Sequence, residues 1–272
     1  MPPADRSSGQ PEQQAPPVQR LRIRYAKRGR MRFTSHRDFS RAFERALVRA
    51  RVPMAYSSGF NPHPRISYAG AAPTGSASEA EYLEIGLAEL VDPDRLAEAL
   101  DAALPDGLDV LEVVPSAGGA LADRLEASVW RLTLAGEPKA VVRDAVAAFL
   151  ARDEVTVERM TKKGVRSFDA RAAVVRLAVV EAGGGPEMDA ETDSATGPSS
   201  GNAASAGPCA ILELVLRHGT PSVRPDDVLA ALREISGLSL GAALQQRLAQ
   251  GPLDERGGTV DDPLTPDRDA AG

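Results

Sequence analysis

Residues 39–50 and 58–68 set the tightest limits on how this chain can fold. Phe39, Ala42, Phe43, Ala46, Leu47 and Ala50 recur at three- and four-residue steps, the stripe of an amphipathic helix. The stretch Ser58-Gly59-Phe60-Asn61-Pro62-His63-Pro64-Arg65-Ile66-Ser67-Tyr68 then excludes helix, because proline fixes φ and pushes the preceding residue toward extended backbone. Ser35-His36-Arg37-Asp38 matches a Ser-x-x-acid helix start, and Pro53 marks the end. Leu21 to Ala26 alternates as a strand, and 27–32 is a basic turn around Gly29. Residues 65–69 and 81–87 read as strands, Asp92-Pro93 opens a second helix through Leu104, and 108–114 closes as a strand. The order β-α-β-β-α-β predicts a ferredoxin-like unit over 20–118, with two helices on one face of an antiparallel sheet and the other face left open.

Residues 126–240 read as a looser copy. Strands are expected at 129–134, 155–160, 174–180 and 210–216, and helices at 138–150 and 225–235. The last strand is degenerate, with Leu238–Leu240 as its nearest match. The fold class is therefore α+β, two tandem ferredoxin-like units. Residues 1–19, an insertion at 182–208 and residues 251–272 lack apolar periodicity and are expected to be disordered.

Net charge is −6, yet the charge is segregated: residues 22–68 carry twelve Arg and Lys against two acids, and residues 69–130 carry two against thirteen. Such a split points to a surface for a polyanion within an acidic protein. Arg37, Arg41, Arg45 and Arg49 recur at four-residue steps and line one helix face, with Lys27, Arg28, Arg30 and Arg32 in the turn before it. Arginine's planar fork suits phosphate oxygens. Lys162, Lys163 and Arg166 form a second basic loop. Solubility alone explains many such charged faces, and that reading stays open for each.

In the proline stretch, Phe60 and Tyr68 can stack on bases, Asn61 can read a base edge and Arg65 can hold a phosphate. The competing reading is a rigid crossover that packs Phe60 on the core. His36 and His63 are the candidate catalytic residues. The topology sets them at opposite ends of the first helix, about 20 Å apart, which argues against a joint acid–base pair. No metal site is expected: His36, His63, His218 and Cys209 show no ligand spacing. A single cysteine permits no internal disulfide, fits a reducing cytoplasm, and cannot supply three thiolates to an iron–sulfur cluster. No apolar run is long enough to span a membrane.

Arg32-Phe33-Thr34-Ser35-His36-Arg37-Asp38, followed by Pro53 through Ser67 with its GFNPHPRIS core, closely resembles the radical-SAM-linked family, a bacterial domain of unknown function. Glu81-Tyr82-Leu83-Glu84 and the region from Thr161 to Arg171 are also similar to it. Ser58 stands where that family commonly has glutamine, and Arg37 where leucine is common. The resemblance implies a partner, since members stand alone or are fused to or encoded beside a radical S-adenosylmethionine protein. Ribonuclease and large-subunit ribosomal-protein genes often lie nearby, which implies an RNA setting. The iron–sulfur cluster and S-adenosylmethionine would then belong to the partner, and this chain would be a non-catalytic, RNA-binding accessory. The alternatives are an endoribonuclease, with His36 as general base and Lys27 or Arg30 on the phosphorane, and a docking scaffold for the radical enzyme.

Overall fold

The structure is a computed structural model that describes residues 13–161, 164–181, 209–237 and 241–271. Five α-helices and one large, mainly antiparallel sheet make an α+β fold. The first half runs β1 (Gln19–Lys27), a 3-10 turn (Gly29–Phe33), α1 (His36–Arg49), β2 (Ile66–Ala69), β3 (Ala77–Leu87), α2 (Pro93–Asp101) and β4 (Leu108–Pro115). The second runs β5 (Ala127–Ala135), α3 (Lys139–Leu150), β6 (Thr156–Thr161), β7 (Gly164–Asp169), β8 (Val174–Val180), β9 (Cys209–Arg217), α4 (Pro225–Ser236) and β10 (Leu244–Gly251). A short β11–β12 hairpin (Leu253–Asp254, Thr259–Val260) and α5 (Thr265–Ala271) follow.

Local chemistry accounts for the helix starts. Ser35 Oγ accepts from the Asp38 N–H and donates to its carboxylate at 2.6 Å, and Asp92 caps α2 ahead of Pro93. Phe39, Ala42, Phe43, Ala46 and Leu47 bury the expected stripe of α1. They pack on the odd-numbered residues Leu21, Ile23 and Tyr25 of β1 and Leu83, Ile85 and Leu87 of β3. Tyr25 and Phe39 stack with ring centroids 4.5 Å apart. Each phenylalanine so buried contributes roughly 1.5–3 kcal/mol.

The strands form one eight-stranded sheet in the order β4-β1-β3-β10-β5-β9-β8, with β2 paired to β3 beside this path. All its pairings are antiparallel except a short parallel contact, Gln246↔Ala77 and Arg247↔Ser78, where β10 meets β3 and joins the two halves. That seam is polar and buried. Arg247, 3% exposed, donates to Glu81, Ser78 and Gly70 O, and its guanidinium lies 5.6 Å from the Trp130 ring centroid.

Four expectations change here. The back face of the first half is covered: Ala69, Ala80, Tyr82 and Val114 pack under Leu121, Leu125 and Leu264. Residues 13–19 and 251–271, expected to be disordered, are placed: the Val18 N–H donates to Leu87 O at 2.8 Å and Gln19 opens β1, and 251–271 carry the β11–β12 hairpin and α5, whose Asp267 is 0% exposed. The segment expected to bridge residues 155–180 as two strands contains three, because β6 and β7 leave the main sheet as their own hairpin before β8. The closing strand is β10, whereas Leu238–Leu240 lie outside the described residues, as do 1–12 and the insertion 182–208.

Candidate functional site

The amphipathic geometry that buries Phe39 and Phe43 turns the opposite face of α1 to solvent. Arg37, Arg41 and Arg45 are exposed there, and none has an ion-pair partner among the described residues. Arg41, Glu44, Arg45, Val48 and Arg49 rim a shallow basin of about 580 Å³. Val48, 75% exposed, is its apolar member. Arg30 is exposed on the 3-10 turn just before α1, and the half-buried Arg32 lies over the Phe33 ring at 4.6 Å.

The other N-terminal cations are engaged inward. Lys27 is 5% exposed, because it continues the inward odd register of β1. Its Nζ donates to Ala72 O and Pro73 O at 3.3 and 3.4 Å, and burial holds its pKa below the ordinary lysine value. Lys27 therefore cannot reach a phosphate, whether to bind it or to stabilise a phosphorane. Arg28 is exposed but clamped between Glu79 and Asp109. Arg49 donates to Ala103 O beyond the end of α2. We expect Lys27→Met to leave the affinity of the α1 face for a polyanion within twofold, measured alongside a Tm that reports any change in the interior.

The proline stretch closes on itself as a tongue. Tyr56 bridges to Pro64, the Ser57 N–H donates to His63 O at 2.9 Å, and the His63 N–H donates to Ser57 Oγ at 3.0 Å. Gly59 takes φ +135°, a backbone conformation that favours glycine. Phe60 stands 81% exposed at the tip, with Asn61 and His63 exposed beside it, so the reading that packs Phe60 on the core does not hold. His36 opens α1, its ring edge-on to Tyr68 at 4.9 Å, whereas the tongue leaves from beyond the other end of that helix. The two histidines are not brought together. Burial raises the Tyr68 pKa, which keeps that ring neutral.

Arg65 parts company with the ridge altogether. Ile66 and Tyr68 of β2 pair with Ile85 and Leu83 on the helix-covered face, so Arg65 and Ser67 turn to the back face beside Gly86 and Glu84. Lys162 and Lys163 lie outside the described residues, and Arg166 is exposed on β7, in the separate β6–β7 hairpin of the second half.

His218 is engaged in the interior, its Nδ1 2.7 Å from Leu125 O and its Nε2 3.1 Å from Ser128 Oγ, which also accepts from Trp130 Nε1. Burial lowers the His218 pKa. Ser128 is only 2% exposed, so this Ser–His contact has no access to a substrate. Among the described residues no three His, Cys, Asp or Glu side chains gather as a metal would require. None of the described helices is long and apolar enough to cross a membrane.

Residues 20–225 match the bacterial family described as "Uncharacterized protein conserved in bacteria (DUF2344)". The chain belongs to this family. No curated protein matches it. In this DUF2344 member the α1 ridge, the tongue and the β2–β3 pair all fall inside the matched span, which ends at Pro225, the first residue of α4. The seam strand β10 and α5 fall beyond it.

Proposed function

We propose that the protein is an RNA-binding accessory of a separate radical S-adenosylmethionine enzyme, acting in RNA modification or in ribosome or tRNA maturation. The cluster and S-adenosylmethionine sit on that partner, and the work takes place in the cytoplasm. One observation carries the RNA part: Arg37, Arg41 and Arg45 stand exposed with no ion pair among the described residues, whereas Arg20, Arg22, Arg28, Arg159, Arg217 and Arg247 are paired to carboxylates. With Glu44 as the one acid lining the basin beside Arg41, Arg45 and Arg49, an otherwise acidic protein keeps a patch of net positive potential there. As a finer reading of the fold, each half is a βαββαβ unit: β4-β1-β3-β2 in the first, β10-β5-β9-β8 in the second, with β6 and β7 inserted.

Filter binding of a structured RNA at two salt concentrations tests the proposal. Three phosphate contacts give a slope of about −2.7 in log K against log salt, so affinity falls roughly 40-fold from 50 to 200 mM. Arg41→Gln with Arg45→Gln should flatten that slope by about 1.8. No binding, or binding without a salt slope, defeats the reading.

Val48 among the arginines favours a second reading, in which the basin docks an acidic patch of the radical enzyme. A complex with that enzyme that survives nuclease treatment but is lost on Arg45→Glu would select docking over RNA.

A further inference from the structure

The back face carries a second concave site. Pro17, Arg20, Arg65, Ile66, Ser67, Glu84 and Gly86 enclose a depression of about 250 Å³ beside β2. Its construction uses the end of the proline motif that the ridge leaves unexplained. Register places Arg65 and Ser67 on this face, and Arg20 arrives from β1, where it pairs with Gly86. Gly86 keeps the floor open: a Cβ there would lie 2.8 Å from Pro17 Cγ and 3.3 Å from Arg65 Cβ. The N-terminal segment forms the far wall and is tied to the tongue by the Gln14 N–H, which donates to Ser58 Oγ at 2.9 Å.

The charges and donors specify the ligand. Glu84 is satisfied from below by buried Arg22 and by Ser116, and from the rim by one nitrogen of Arg20. Counted over the whole network, Arg20, Arg22, Arg65 and Arg124 stand against the carboxylates of Glu84 and Asp267, an excess of two positive charges, with Arg20 and Arg65 on the depression. The Arg65 Nε donates to Tyr56 O at 3.1 Å, which fixes the guanidinium while both of its Nη groups have no partner among the described residues. Arg20 Nη2 and the exposed Ser67 hydroxyl are also without partners among the described residues. A phosphate monoester carries close to two negative charges at neutral pH and three strongly accepting oxygens. Two guanidinium forks and a hydroxyl match that count.

We propose that this depression is a binding site for a small phosphate monoester, separate from the α1 ridge. The site stands or falls independently of the RNA reading, since the two faces share no residue.

Isothermal titration of the full chain with glycerol 3-phosphate, at ionic strength held constant with chloride, tests the proposal, with glycerol as the uncharged control. Saturable one-to-one binding is expected, with none for glycerol. Arg65→Gln should weaken it at least tenfold. Ser67→Glu places a negative charge at the exposed rim and should do the same with the fold intact, as read by Trp130 fluorescence. The ridge double variant Arg41→Gln/Arg45→Gln should bind as wild type. Absence of saturable binding overturns the proposal. So does retention of wild-type affinity in Ser67→Glu, or an equal loss in the ridge variant.

Discussion

Asp267→Ala should cost about 3 kcal/mol of folding stability, the low end of what breaking a buried ion pair costs. Asp269→Ala, two residues on and exposed, should cost less than about 0.5 kcal/mol. Asp267 and Arg22 are both 0% exposed, and both Asp267 oxygens take the Arg22 Nη1 at 2.9 Å. Arg124 and the Ala117 N–H complete the shell of the carboxylate at 2.7 and 2.8 Å. Removing the carboxylate leaves Arg22 in the interior with Glu84, Gly118 O and Gly119 O as its remaining acceptors. Those survivors set the figure at the low end of the range. Burial alone would raise the Asp267 pKa, but the bonds from Ala117, Arg22 and Arg124 outweigh it and hold it below the ordinary 3.8. A depressed carboxyl contributes its full stability above its unfolded value and loses it as pH falls through the folded one. Urea melts should therefore show the gap between wild type and Asp267→Ala intact at pH 7 and closing below about pH 4. A gap under 1 kcal/mol at pH 7 would mean that α5 is only loosely docked.

The same ion pair shows where the sequence was readable and where it was not. Periodicity located α1 because Phe39 to Leu47 bury a full stripe, and alternation located β1 and β3 because only one of their faces meets helices. α5 is seven residues long and holds the sheet through the buried Asp267 carboxylate and the Arg268–Glu112 ion pair, with Leu264 just ahead of it, so it has no apolar stripe to detect. β10 reads LQQRLAQG and carries no strand pattern for a related reason. Its neighbours at the seam are Glu81, Ser78 and Ser128, so its inward positions are polar and its alternation is lost. At the ridge, the four-residue spacing identified Arg37, Arg41 and Arg45, but composition could not tell which cations were already engaged. Lys27 was recoverable, since it extends the inward series Leu21, Ile23, Tyr25. Arg28 was not, because its partners Glu79 and Asp109 come from two other strands. Nor was the pocket around Arg65 and Arg20, which needs the β1–β3 and β2–β3 registers together.

Ending the chain at Gly241 should abolish cooperative folding, the largest effect expected of any change considered. The matched family span already stops at Pro225, so this tests whether the unmatched remainder is an appendage or a structural centre. β10 lies between β3 and β5 and is the strand through which the two halves share one sheet. Without it β5 becomes an open edge, with backbone donors and acceptors exposed along residues 127–133. Glu81, 2% exposed, loses Arg247 and keeps only the Ala72 N–H as its strong donor, an unpaired buried charge. Trp130 loses the guanidinium above its ring. A chain ending at Asp262 keeps β10 but loses α5 and the buried Leu264, so it should remain folded, with a loss of stability larger than that of Asp267→Ala alone. Trp130 is the only tryptophan, so its emission reports the seam directly. We expect a red-shifted maximum and no thermal transition for the chain ending at Gly241, and a native maximum with a lowered Tm for the one ending at Asp262. A cooperative melt in the shorter chain would show that each half closes its own sheet, and that β10 joins two structures already complete.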